Sequence, residues 1–293
     1  MSLSLPRVLT TILLLALPLQ GQVSLPAPES EHTHPIENWH ELTEPLPART
    51  NVNAAKVVQN YLKVLGGGRP LAELRTRRLE YRLARGGTER IIREIARADG
   101  AFLRVEVRKL LGEDFSDVIG FDGHSAWSLL LSETEPSFRF ISGQHRHFML
   151  QGRSFPDPLH HWAAAGSVLD FKGEAEWGGR AVYRVRVHHP TGLTETLDFD
   201  RKTFLLTRRL YWRAVGDLLV PCELRIVKYT RIEGFWLPSR WEYHLSGHLA
   251  ESATLLRASV NERIAPELFQ PVATRDGWAE VAQRLERTFT PRP

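Results

Sequence analysis

The sequence predicts a mainly β (α+β) protein: one large curved antiparallel sheet of about eleven strands, with helices laid over it as a lid. Three observations carry this. Beyond Leu74 the spacing of apolar residues falls from about 3.6 to about 2. Short turns such as Gly86-Gly87, Asp122-Gly123 and Gly178-Gly179 separate the alternating runs. Within each run, apolar residues alternate with Arg and Glu, giving one apolar and one solvated face.

The elements follow in order. Arg7 is a positive n-region and Val8–Leu19 an apolar stretch of signal-peptide length, too short to span a bilayer, which takes about 20 residues. Residues 1–22 are therefore expected to be a signal peptide. Residues 23–50 are expected to be a linker, because Pro26, Pro28, Pro35, Pro45 and Pro47 oppose both helix and packed strand. A folded domain is expected over 51–272, with a C-terminal helix and tail over 273–293. Its first element is a helix with Asn53 as N-cap and Val57, Val58, Tyr61, Leu62 and Leu65 on one face, stopped by Gly66–Gly68.

Strands are expected around Leu79–Leu83, Ile91–Arg97, Leu103–Val107, Asp114–Phe121 and His124–Leu131. Residues 143–166 interrupt the sheet, and Pro158 opens a predicted second helix through Ala165. Alternation then resumes over Val168–Trp177, Val182–His188, Thr194–Asp200, Phe204–Trp212, Leu219–Tyr229, Phe235–Leu245 and Leu249–Asn261. A sheet that long must curl to hide its apolar face. With a helical cover, the inside of the curve is where a small molecule would bind.

The 293 residues are 42% apolar and 25% charged, which suits a folded chain. The net charge is +4, and Arg and Glu alternate rather than cluster, which argues against a nucleic-acid partner. Cys222 is the only cysteine, so no intramolecular disulfide is expected. No Cys lies directly after the apolar N-terminal stretch, so no lipid anchor is expected there.

Catalytic and metal motifs are missing. There is no Gly-x-Ser-x-Gly elbow, Ser-x-x-Lys pair, His-Glu-x-x-His helix or phosphate loop. The pairs His32/His34, His145/His147, His160-His161 and His188-His189 lack ligand spacing; adjacent strand residues such as His188 and His189 face opposite ways. Asp198 and Asp200 share a strand phase and are the one carboxylate pair that acid–base work could use, although strand-end and turn roles fit them better. No catalytic residue, metal or cofactor is expected.

Several segments together resemble the outer-membrane lipoprotein-sorting and lipoprotein-carrier (LolA-like) family over roughly 51–272. They are AAKVVQNYLKVLGGGRPLAEL, the Arg97 hairpin followed by Phe102-Leu103-Arg104-Val105, GFDGHSAW, WGGRAVYRVRV before TGLTETLDFDRKTFLL, YTRIEGFWLP, and Pro266–Phe269. The resemblance implies a half-open β-barrel that holds acyl chains beneath helices acting as a lid. It implies a periplasmic monomer whose partner is a lipid or acylated protein, together with a membrane-associated partner. Arg97 matches the arginine that latches the lid in the carriers, although Ala98 stands where they have Pro. Leu79, Tyr81, Leu83, Leu103, Val105, Val107, Trp127 and Trp162 are the expected acyl-cavity residues. The alternative is an envelope sensor or adaptor domain that binds a regulatory protein.

Overall fold

The structure is a computed structural model, which describes residues 49–110, 113–131, 137–143, 146, 155–190, 192–215 and 218–272. The expected signal peptide, most of the linker and the C-terminal helix and tail lie outside the described residues.

One helix, α1 (Val52–Leu65), precedes the strands. Asn51 caps it: its extended backbone brings the side-chain oxygen to the amides of Asn53 (2.8 Å) and Ala54 (3.4 Å). The cap is therefore two residues earlier than Asn53. The expected apolar stripe is present, with Ala54, Val57, Val58, Tyr61 and Leu65 buried. Among the described residues, thirteen strands follow in a single antiparallel sheet. The first six are β1 (Thr76–Arg85), β2 (Thr88–Arg97), β3 (Phe102–Leu110), β4 (Glu113–Phe121), β5 (Ala126–Leu131) and β6 (Ser137–Ile141). The rest are β7 (Val168–Trp177), β8 (Arg180–His188), β9 (Thr194–Asp200), β10 (Leu206–Val215), β11 (Leu218–Ile232), β12 (Phe235–Leu245) and β13 (His248–Val260). Short 3₁₀ turns lie at Leu71–Glu73 and Pro266–Phe269.

The order is β6-β5-β4-β3-β2-β1-β13-β12-β11-β10-β9-β8-β7. First and last strands pair in the middle, and β6 and β7 are the two edge strands among the described residues. The sheet is open, as the half-open barrel requires. The chain between β6 and β7 must join opposite edges, and its described part, residues 155–166, packs on the face that α1 covers. We call that the inner face. The predicted helix over 158–165 is instead a run of turns. Its bonds vary in span: His160 N–H reaches Asp157 O (2.9 Å), Ala165 N–H reaches His161 O (2.8 Å) and Ser167 N–H reaches Trp162 O (2.9 Å). A stretch this short cannot repay helix nucleation, and the Asp157 side chain already takes the Leu159 amide at 2.9 Å.

Two apolar clusters hold the molecule together. The larger lies on the inner face, between α1, residues 155–166 and the strands β1 and β7–β13, and extends through Ala96, Phe102, Phe121 and Ala126 onto β2–β5. The smaller lies on the outer face of β2–β6, closed by Phe269 and Leu268. β2 is where an outer cluster begins: Ile92 and Ala96 belong to the inner cluster and Ile95 to the outer one. At the far end of α1, Gly67 (φ +62°) lets the chain press on the β11–β12 turn; a Cβ there would lie 1.8 Å from Gly234 O.

Candidate functional site

The inner face is the candidate site. Cross-strand partners share a face, so the register fixes which side chains line it. Leu79 pairs with Ala258, Tyr81 with Leu255 and Leu83 with Ala253, all in or against the inner cluster. Val185 pairs with Leu197 and Tyr183 with Phe199 at the other end of the floor. Above them, the Tyr61 ring of α1 lies 5.2 Å from the Phe199 ring. Phe155 and Leu159 are buried in the same cluster, and Trp162 packs against it half-buried. The covering elements therefore sit directly on the floor, and an occupant of this face has to displace them.

Of the eight expected cavity residues, Leu79, Tyr81, Leu83 and Trp162 come together here. Leu103, Val105, Val107 and Trp127 do not. Leu103 pairs with Ile95 and Val105 with Arg93, opposite in phase to Ile92, so they fall on the outer face. Trp127 is 1% exposed there, and its indole N–H donates to Phe269 O at 2.9 Å. In their place the inner face of β2 and β3 carries charge: Arg90 contacts Glu106 at 2.6 Å and Arg104 contacts Glu94 at 3.5 Å. Arg97 is also elsewhere. It pairs with Asp99 in its own turn, and its guanidinium lies 5.5 Å from the Phe269 ring, so it braces the C-terminal 3₁₀ turn rather than the lid.

The contacts that do hold the lid are polar groups within the apolar floor. Tyr61 O–H donates to Asp157 Oδ2 at 2.8 Å, tying α1 to residues 155–166. Arg77, in phase with Leu79 on β1, reaches Pro156 O at 3.4 Å and lies 5.7 Å from the Phe155 ring. Arg209 of β10 forks onto Glu195, with Nη2 to Oε1 at 2.8 Å and Nε to Oε2. His189 Nε2 meets Glu195 Oε1 at 2.8 Å, and His189 Nδ1 meets Ser167 Oγ at 3.2 Å where the lid segment ends.

These groups perturb one another. Desolvation raises the Asp157 carboxyl above its usual range, opposed by the Leu159 amide, the Tyr61 hydroxyl and the charges of Arg77 and Arg209. Burial also pushes on Glu195, but Arg209 and His189 outweigh it and hold that carboxyl at about 2. Burial, then Asp157, raises the Tyr61 phenol. Sequence reasoning missed Arg77, Asp157, Glu195 and Arg209. The available signal was a charge standing in the apolar phase, as Arg77 does two residues before Leu79.

The remaining candidates have structural roles. Asp198 is bidentate with Arg184 (2.7 and 3.0 Å), and Asp200 accepts from the Lys202 and Thr203 amides of its turn. His188 meets Thr194 on the outer face while His189 faces Glu195. Among the described residues no three His, Cys, Asp or Glu side chains converge as metal ligands.

No protein-family model matches the chain, and no curated protein matches it. Solved structures do. The chain is similar to a DUF1329 family protein from Desulfovibrio piger, with 14% identity and a TM-score of 0.53, over 74% of this chain and 97% of that one. It is also similar to a domain named for outer membrane lipoprotein sorting, from Vibrio parahaemolyticus, with 9% identity and a TM-score of 0.50, over 74% of this chain and 97% of that one. At these identities the likeness establishes the fold alone, an open antiparallel sheet shared with these two structures.

Proposed function

We propose that this is an exported, periplasmic binding protein that holds the acyl chains of a lipid or lipoprotein between the inner face of its sheet and a cover made of α1 and residues 155–166. The carrying observation is that cover. It buries a continuous apolar floor, yet residues 155–166 are irregular turns, and the polar ties to them are few: Tyr61–Asp157, Arg77–Pro156 and Ser167–His189. An acyl chain can replace the covering side chains on the floor, with each methylene buried contributing about 0.8 kcal/mol. The LolA-like fold supports the same function, since one of its structural neighbours is named for lipoprotein sorting. The protein acts by binding and release, without bond chemistry.

The test is purification from a periplasmic extract without detergent, followed by native mass spectrometry and solvent extraction. A defined acylated species at near-stoichiometric amounts is expected. A clean apo mass that also fails to take up added acyl ligand would overturn the proposal and favour a protein-binding adaptor.

A further inference from the structure

Resting on that acyl-binding function, the charges beneath the cover identify which end of the ligand the site can hold. Four titratable groups interact at the inner face where residues 155–159 come down: Arg77, Arg209, Glu195 and Asp157. Glu195 is committed to Arg209 through two hydrogen bonds and to His189 through a third. Among the described residues no floor carboxylate is hydrogen-bonded to Arg77; its contacts are Pro156 O and the Phe155 ring, both on the segment that must leave. Asp157 belongs to that segment too, and its carboxylate accepts from Tyr61 O–H and the Leu159 amide. With the cover down, the two guanidinium groups face two carboxyl groups. With residues 155–159 lifted, the floor keeps Arg77, Arg209 and Glu195 and is left one positive charge in excess, in apolar surroundings where an unpaired charge is costly.

We infer that Asp157 stands in for the head group of the ligand: the site takes an amphiphile with an anionic head, a carboxylate or a phosphate, seated at Arg77 and Arg209 with its chain along the apolar floor. The Tyr229 hydroxyl lies in the same group, donating to Leu206 O at 2.9 Å. An anionic head supplies a counter-charge where the Asp157 carboxyl sits in the closed state, so cover and ligand compete for one place. A neutral head would leave Arg77 without a counter-charge.

The test uses the full-length mature protein and four oleoyl probes below their micelle concentrations: oleate, 1-oleoyl-lysophosphatidic acid, oleyl alcohol and monoolein. Affinities are read by displacement of a fluorescent acyl probe. The anionic probes are expected to bind about tenfold tighter than the neutral ones, the worth of one charge-assisted contact. That ratio is expected to collapse in Arg77→Gln and to grow in Asp157→Asn, which removes the competing carboxylate; thermal melts confirm that each variant folds. Preference for oleate alone points to free fatty acids, and preference for the phosphate alone to phospholipid-type heads; each supports the inference. Equal binding of all four probes would overturn it while leaving acyl binding intact. Binding of none would overturn both.

Discussion

At the residue scale, the cover depends on a few polar atoms in an apolar setting. Tyr61→Phe deletes the hydroxyl that ties α1 to Asp157 and leaves that carboxylate short of a donor. A loss of about 1–3 kcal/mol is expected in urea unfolding. The two carboxyls should give opposite pH dependences. Glu195 titrates at about 2 in the fold, below its unfolded range. Its stabilising contribution is therefore complete above roughly pH 4.5 and is lost as pH falls toward about 2. Asp157 is raised in the fold, so the fold favours its protonated form, and its contribution falls as pH rises through the acidic range. Glu195→Gln should accordingly flatten the acid limb of the stability profile, whereas Asp157→Asn should steepen the net rise with pH. Acid titration followed by circular dichroism distinguishes them.

At the element scale, period-2 alternation was enough to place most strands but not to say which face each apolar set would join. Leu79, Tyr81 and Leu83 look identical in pattern to Leu103, Val105 and Val107. Only the register, with Ile92 opposite Glu106 and Ile95 opposite Leu103, shows that a second, outer apolar set begins at β2. The strand at Ser137–Ile141 was missed because so short a run carries too few alternations to stand out from the interruption that follows. The outer cluster is structural, so Leu103→Ala is expected to lower stability by about 2–5 kcal/mol while acyl uptake per folded molecule stays unchanged. Gly120 has a similar role. A Cβ there would come within 2.2 Å of the Trp127 ring, which crosses the strand at that point. Gly120→Ala should displace the indole from Phe269 and lower the melting temperature, again without changing uptake.

At the scale of the whole molecule, the topology explains why a cover exists. Pairing β1 with β13 in the middle of the sheet sends β6 and β7 to opposite edges, and residues 155–166 of the connection between them lie on the inner face. The open curved sheet, the leading helix and the interruption were legible in the sequence, because each changes the apolar period over many residues. The cluster of charges was not, because Arg77, Asp157, Glu195 and Arg209 come together only through long-range pairing. The arginine latch implied by family resemblance shows the same limit: Arg97 is present, but the fold uses it against Phe269.

The most direct measurement is photo-crosslinking with an oleate analogue carrying a diazirine along its chain, with adducts mapped by peptide mass spectrometry. Acyl binding at the inner face predicts adducts on the peptides carrying Tyr81, Leu83, Leu237 and Trp162, competed away by unlabelled oleate. Competable adducts confined to the peptides carrying Leu103, Val105, Trp127 and Leu129 would place the ligand on the outer face and contradict it.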